Sequence, residues 1–138
     1  MVFGTFDNLH PGHLDYFKQA AVFGEKLIIV VARDKNVLKI KGRAPQEDEK
    51  ERLFKARVAL KYLEINGRAI LGGLRDKWGI VRKFKPEIIC LGYDQEVNLK
   101  ALKGVIAEER FFCKIKRLKA YHPEKYKSSF CRGSHEKK

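Results

Sequence analysis

The sequence predicts an α/β fold, a doubly wound parallel sheet of about five strands flanked by helices. Three observations predict it. The chain opens on a short apolar run, a turn of small residues and an amphipathic segment. Its later apolar runs, over 27–32 and 88–91, are continuous rather than alternating, as in strands covered on both faces. Between them lie stretches with apolar residues at helical spacing, so strand and helix take turns along the chain.

The first strand is Met1-Val2-Phe3. Gly4 and Thr5 break it, and a helix is expected over 12–23, with Leu14, Phe17, Ala21 and Val22 as its apolar stripe and Gly24 as its stop. Pro11 suits the first turn, where its missing N–H has no partner to lose. Between strand and helix runs Gly4-Thr5-Phe6-Asp7-Asn8-Leu9-His10-Pro11-Gly12-His13. A strand, a small-residue turn and a helix start aim backbone N–H groups at an anion. His10 and His13, three residues apart at that helix entry, can face the same one.

A strand follows over 27–32. Residues 33–43 then turn basic, with no acid between Lys35 and Arg43, and read as a solvated loop or a cationic flap carrying Lys41. A long helix is expected from Ala44-Pro45 onward. Glu47, Asp48, Glu49 and Glu51 stand at its start, while Leu53, Ala56, Leu60 and Leu63 face the sheet. Arg52 reads as an exposed helical charge. Next come a strand over 68–72, a helix over 77–84 capped by Asp76, a strand over 87–91, a helix over 99–107 and a last strand over 110–115. The loop after the fourth strand, Gly92-Tyr93-Asp94-Gln95, shares the crevice with the first turn if ligands bind beyond the strands' carboxyl ends.

At 138 residues one domain is expected, over 1–132, with 133–138 as a disordered basic tail. No apolar run reaches membrane-spanning length and no export signal is legible, so a cytoplasmic protein is expected. Cys90, Cys113 and Cys131 are odd in number and far apart, with no C-x-x-C pair, which speaks against a disulfide framework or a structural zinc site. Cys90 lies in a strand pattern and reads as core. The net charge of +13 calls for a polyanionic ligand, and both nucleic acid and a nucleoside triphosphate answer to that.

The opening motif resembles the G-T-F-D-x-L-H-x-G-H signature of the cytidylyltransferase-like nucleotidyltransferases, which have a Rossmann-like fold. Leu91-Gly92-Tyr93-Asp94-Gln95 and Tyr121 with Lys127-Ser128-Ser129 narrow the likeness to the archaeal FAD synthase family. That resemblance implies adenylylation of FMN by ATP, with a divalent cation, magnesium, held by the phosphates. It implies that Thr5, Phe6, His10, Pro11, Gly12, His13, Asp94 and Tyr121 contact ATP and that Ser128 and Ser129 hold its phosphate tail. It makes His10, His13, Lys41 and Lys127 the groups that stabilise charge during transfer, and it offers for Arg52 a second reading, a residue that orders the site. The rivals are a glycerol-3-phosphate cytidylyltransferase and, from another class, a basic nucleic-acid-binding module. A homodimer stays open.

Overall fold

The computed structural model describes residues 1–121. Its elements run β1 (Val2–Gly4), α1 (Pro11–Ala21), β2 (Leu27–Val31), α2 (Asp34–Lys41), α3 (Glu49–Tyr62), β3 (Gly67–Leu71), α4 (Gly79–Phe84), β4 (Ile88–Leu91), α5 (Leu99–Glu108) and β5 (Lys114–Arg117). The five strands form one sheet in the order β3-β2-β1-β4-β5, and every pairing is parallel. The doubly wound α/β class is thus the observed one.

Strand alternation divides the core in two. Val2, Ile29, Val31, Ala69 and Cys90 turn to a cluster that includes Phe17 and Ala20 of α1 and Ala56, Ala59 and Leu60 of α3. Met1, Val30, Ile89 and Leu91 turn to the other, with Val81 of α4 and Leu102 and Val105 of α5. Successive side chains of a strand point to opposite faces, so strands apolar at every position can fill both clusters.

Five elements differ from expectation by more than one residue. Helix α4 starts at Gly79 rather than 77, with Trp78 at its N-cap and no side-chain cap bond, because Asp76 accepts the Trp78 N–H at 3.1 Å, before the helix begins. Residues 34–41 form a helix rather than a loop, and Lys41 is its last residue. Asp34 supplies the acidic first turn, Val37 is buried, and Gly42 closes the helix at φ 77° with its N–H on Leu38 O, 2.8 Å. Helix α3 starts at Glu49, not at Ala44-Pro45. The Asp48 side chain accepts the Glu51 N–H at 2.8 Å and caps the helix there. Helix α1 spans Pro11–Ala21, short of the expected end, with Ala20 rather than Ala21 in the core and Val22 exposed. The last strand is Lys114–Arg117, later than 110–115, because Arg110 turns left-handed at φ 55° and ends α5 first. Phe111 and Cys113 then pack on the α4/α5 cluster before pairing begins.

The order of the sheet positions the site. From β1 the chain winds outward to β2 and β3, then returns to place β4 on the other side of β1. Connections leave in opposite directions at β1 and β4, and a crevice opens beyond their carboxyl ends. The turn after β1 and the loop after β4 both lie at that mouth.

Candidate active site

Residues 5–10 carry the chain from β1 into α1. Phe6 and Asn8 both adopt left-handed backbone angles, φ 55° and 52°, which cost a non-glycine residue on the order of 1–2 kcal/mol. Asn tolerates the conformation; Phe6 is held in it by packing. Its buried ring lies 5.1 Å from Phe17, 6.1 Å from Tyr16 and edge-on to His13 at 5.9 Å, centroid to centroid. Gly4 admits this ring, since a Cβ there would stand 2.7 Å from Phe6 Cζ.

The two histidines cap α1 for each other. His10 Nδ1 accepts the Gly12 N–H at 3.1 Å, and His13 Nδ1 accepts the His10 N–H at 3.2 Å. The rings lie 3.9 Å apart and tilted by 33°. With both Nδ1 atoms accepting, each neutral ring carries its proton on Nε2 and is a donor there. Burial drives the His13 imidazolium down to about 3, aided by neighbouring His10 and opposed by Asp7. Burial also lowers His10. Two neutral N–H donors at the positive end of a helix suit an anion. Because the Gly12 N–H is committed to His10, imidazoles rather than that N–H provide the donors.

A clasp holds this turn against the segment before α3. The Asp7 carboxylate accepts the N–H groups of Gln46 and Glu47 at 2.8 and 2.9 Å. The buried Glu47 returns the contact by accepting the Asn8 N–H at 2.9 Å, and its other oxygen pairs with Lys55. Arg52 lies beneath. It is 0% exposed and donates to Thr5 O at 2.7 Å, Glu47 O at 3.0 Å and Asp34 Oδ1 at 2.7 Å. Of its two expected readings, exposed helical charge and ordering residue, only the second fits this burial.

Across the crevice, Gly92 to Gln95 form a turn closed by the Gln95 N–H on Gly92 O at 3.2 Å. The Gln95 side chain folds back to β1, donating to Phe3 O at 3.0 Å and accepting the Gly92 N–H at 3.0 Å. The Tyr16 hydroxyl donates to Cys90 O at 3.1 Å, so α1 is tied to β4 as well.

Among the described residues no three of His, Cys, Asp and Glu converge to hold a metal ion. Asp7, Glu47 and Asp34 already serve N–H groups and cations. The described residues therefore offer no cage for a divalent cation.

A cytidylyltransferase-like family model matches residues 1–134. The chain belongs to the cytidylyltransferase-like family. It is therefore a nucleotidyltransferase. It is similar to an FAD synthase of Methanothrix thermoacetophila, 37% identical over 89% of this chain and 82% of the relative. An FAD synthase of Archaeoglobus fulgidus is 34% identical over 86% of this chain and 82% of its own length. A solved structure, described as the lipopolysaccharide core biosynthesis protein from Thermoplasma volcanium, superposes with a TM-score of 0.75. It is 38% identical, with 88% of this chain and 95% of that one covered.

In this nucleotidyltransferase the fold gathers Thr5, Phe6, His10, Pro11, Gly12 and His13 into one turn and helix start. Asp94 lies in the β4 turn, exposed, and Tyr121 follows β5 at the limit of the described residues. Lys41, exposed, ends α2 on the approach to the segment that Asp7 holds. Lys127, Ser128, Ser129 and the 133–138 tail lie outside the described residues, as does Cys131. Cys90 is core, and burial raises its thiol and that of half-buried Cys113. No helix among the described residues is long and apolar enough to cross a membrane. Sequence reasoning did not single out Asp7, Glu47 or Gln95. Asp7 and Gln95 stand inside the two quoted motifs without a role of their own there, and Arg52 is the residue to which the resemblance gives an ordering part.

Proposed function

We propose that this nucleotidyltransferase is an FAD synthase that transfers AMP from ATP to FMN and releases pyrophosphate. The observation that carries the reading is the paired-histidine turn, built at the mouth of the crevice in a chain similar to two FAD synthases. An oxygen of the FMN phosphate attacks the α-phosphorus of ATP. The new P–O bond forms as the bond to the bridging oxygen breaks, and that electron pair leaves on pyrophosphate. The attacking phosphate is already ionised, so positioning and charge stabilisation make the rate. His10 and His13 donate from Nε2 to the phosphate oxygens where charge builds. Lys41 and Lys127 assist the leaving pyrophosphate, and Ser128 and Ser129 hold the β- and γ-phosphates. Thr5 and the main chain of Phe6 lie beside the nucleotide, the Phe6 ring being buried beneath the turn, with Asp94 and Tyr121 at its adenosine end.

The relatives favour neither the glycerol-3-phosphate nor the nucleic-acid alternative. Incubation with FMN plus ATP or CTP, followed by chromatography of the flavins, tests the proposal. FAD is expected with ATP; a flavin pool left as FMN sinks it. His13→Ala should lower the rate about a hundredfold or more while far-UV circular dichroism stays that of the folded chain.

A further inference from the structure

Strands β1 and β4 flank the crevice, yet their ladder is short. A single register pair, Val2↔Cys90, joins them, with the Cys90 N–H on Met1 O at 3.0 Å. By contrast β2 and β3 pair over five residues and β4 and β5 over four. Beyond the pair the two central strands part, and the next groups in line, Phe3 O and the Gly92 N–H, would be left without main-chain partners. The Gln95 carboxamide stands between them. Its Nε2 donates to Phe3 O at 3.0 Å and its Oε1 accepts the Gly92 N–H at 3.0 Å. A carboxamide has the donor and acceptor of a peptide group, so this side chain adds one rung to the ladder where backbone can no longer reach. We infer that Gln95 is a positioning residue that fixes the width of the nucleotide crevice and the pose of the Gly92-Tyr93-Asp94 turn at its mouth.

The surroundings hold that rung from three elements. From α1 the Tyr16 hydroxyl donates to Cys90 O and, at 3.4 Å, to Gln95 Oε1. From β5 the Arg117 guanidinium donates to Gly92 O at 2.8 Å and to Gln95 O, clamping the turn from outside. Phe3 is the residue before Gly4, so the carbonyl that Gln95 holds leads directly into the histidine turn. An error in the gap between β1 and β4 would separate the two walls of the crevice. Gln95 itself acts through the turn, and its loss should weaken nucleotide binding more than it slows the chemical step.

The inference rests on the FAD synthase reading for its nucleotide, ATP, and the test separates the two. ATP binding by calorimetry and steady-state kinetics with FMN are compared for the wild type, Gln95→Met, Gln95→Glu and Arg117→Met. Gln95→Met keeps the length and removes both bonds; KM and Kd for ATP should rise about tenfold, the equivalent of about 1.4 kcal/mol of lost binding, with kcat within about threefold. Gln95→Glu keeps the acceptor for Gly92 but faces Phe3 O with a carboxylate. Protonation restores the donor, and a carboxyl facing a carbonyl ionises late, so the defect should shrink between about pH 8 and pH 6.

The other groups near that position are Tyr16, Cys90, Arg117, Asp94 and Glu96, with Lys77 in the same cleft. Burial keeps the Tyr16 hydroxyl and the Cys90 thiol protonated through that range. Arg117→Met, at an exposed position, should raise KM in the same direction and show no recovery at low pH; it also covers the case in which Gln95→Met does not fold. Unchanged KM in the folded variants overturns the inference, as does a fall in kcat alone or a Gln95→Glu defect that ignores pH. A wild type that binds no ATP takes the FAD synthase reading down with it.

Discussion

His13 shows how one residue carries both a structural and a chemical duty. Its Nδ1 caps the helix and its Nε2 is left as donor, a division made by geometry and by burial that holds the ring neutral. Linkage gives this a sign. The folded pKa, about 3, lies below the unfolded value of about 6.5. Between them the unfolded chain binds more protons, so stability rises with pH through that window and is lost as pH falls through it. The slope from His13 is at most about 1.4 kcal/mol per pH unit, and His10 adds in the same direction. Urea unfolding at a series of pH values should show His13→Asn losing less stability on acidification than the wild type; parallel curves would contradict the burial account. Arg52 is the other residue whose duty outweighs its exposure. Arg52→Met leaves Asp34 and two carbonyls without their cation, and about 3 kcal/mol of stability should go with it, read as a fall in the urea midpoint.

At the scale of elements, two glycines decide shapes that side chains then exploit. Gly42 ends α2 in a left-handed conformation with open space where a Cβ would go. Gly42→Ala should therefore cost only the conformational term, about 1 kcal/mol, by thermal unfolding. Gly4 is different, because its missing Cβ is the space that the Phe6 ring occupies. Gly4→Ala pushes that ring away from Phe17 and His13. Turnover should drop by about tenfold or more while far-UV circular dichroism holds, because misplaced donors lose rate steeply; unaltered kinetics would show that the ring does not set the histidines. Helix α2 itself reads from sequence as a basic loop or flap. Its buried face among the described residues is Val37 alone, too little periodicity for a helix to be legible. Asp34, which joins it to Arg52 and accepts the Glu49 N–H, contributes through partners distant in sequence.

At the scale of the molecule, stability follows depth in the two layers around the sheet. Phe17, 0% exposed beneath Phe6, and Phe54, 65% exposed on the outer side of α3, are the same residue type in opposite settings. Phe17→Ala should cost about 3–5 kcal/mol, and Phe54→Ala should stay within about 0.5 kcal/mol, both measured by chemical denaturation. Equal losses would mean that α3 buries its outer face against something beyond this chain.

The strands were legible from sequence because burial on both sheet faces demands apolar residues at every position, and 27–31 and 88–91 meet that demand. The histidine turn was legible because its glycines, proline and histidines sit within ten residues, where local chemistry is visible along the chain. What the chain order could not contain is which distant groups satisfy a buried polar atom. Arg52 reads as a surface charge until Thr5 O, Glu47 O and Asp34 converge on it, and Gln95 reads as a turn residue until β1 and β4 part around it. Local pattern therefore determined the class, the elements and the motif of this protein. Tertiary structure decided how the site is held, because a hydrogen bond depends on distance in space, and separation along the chain says nothing of that distance.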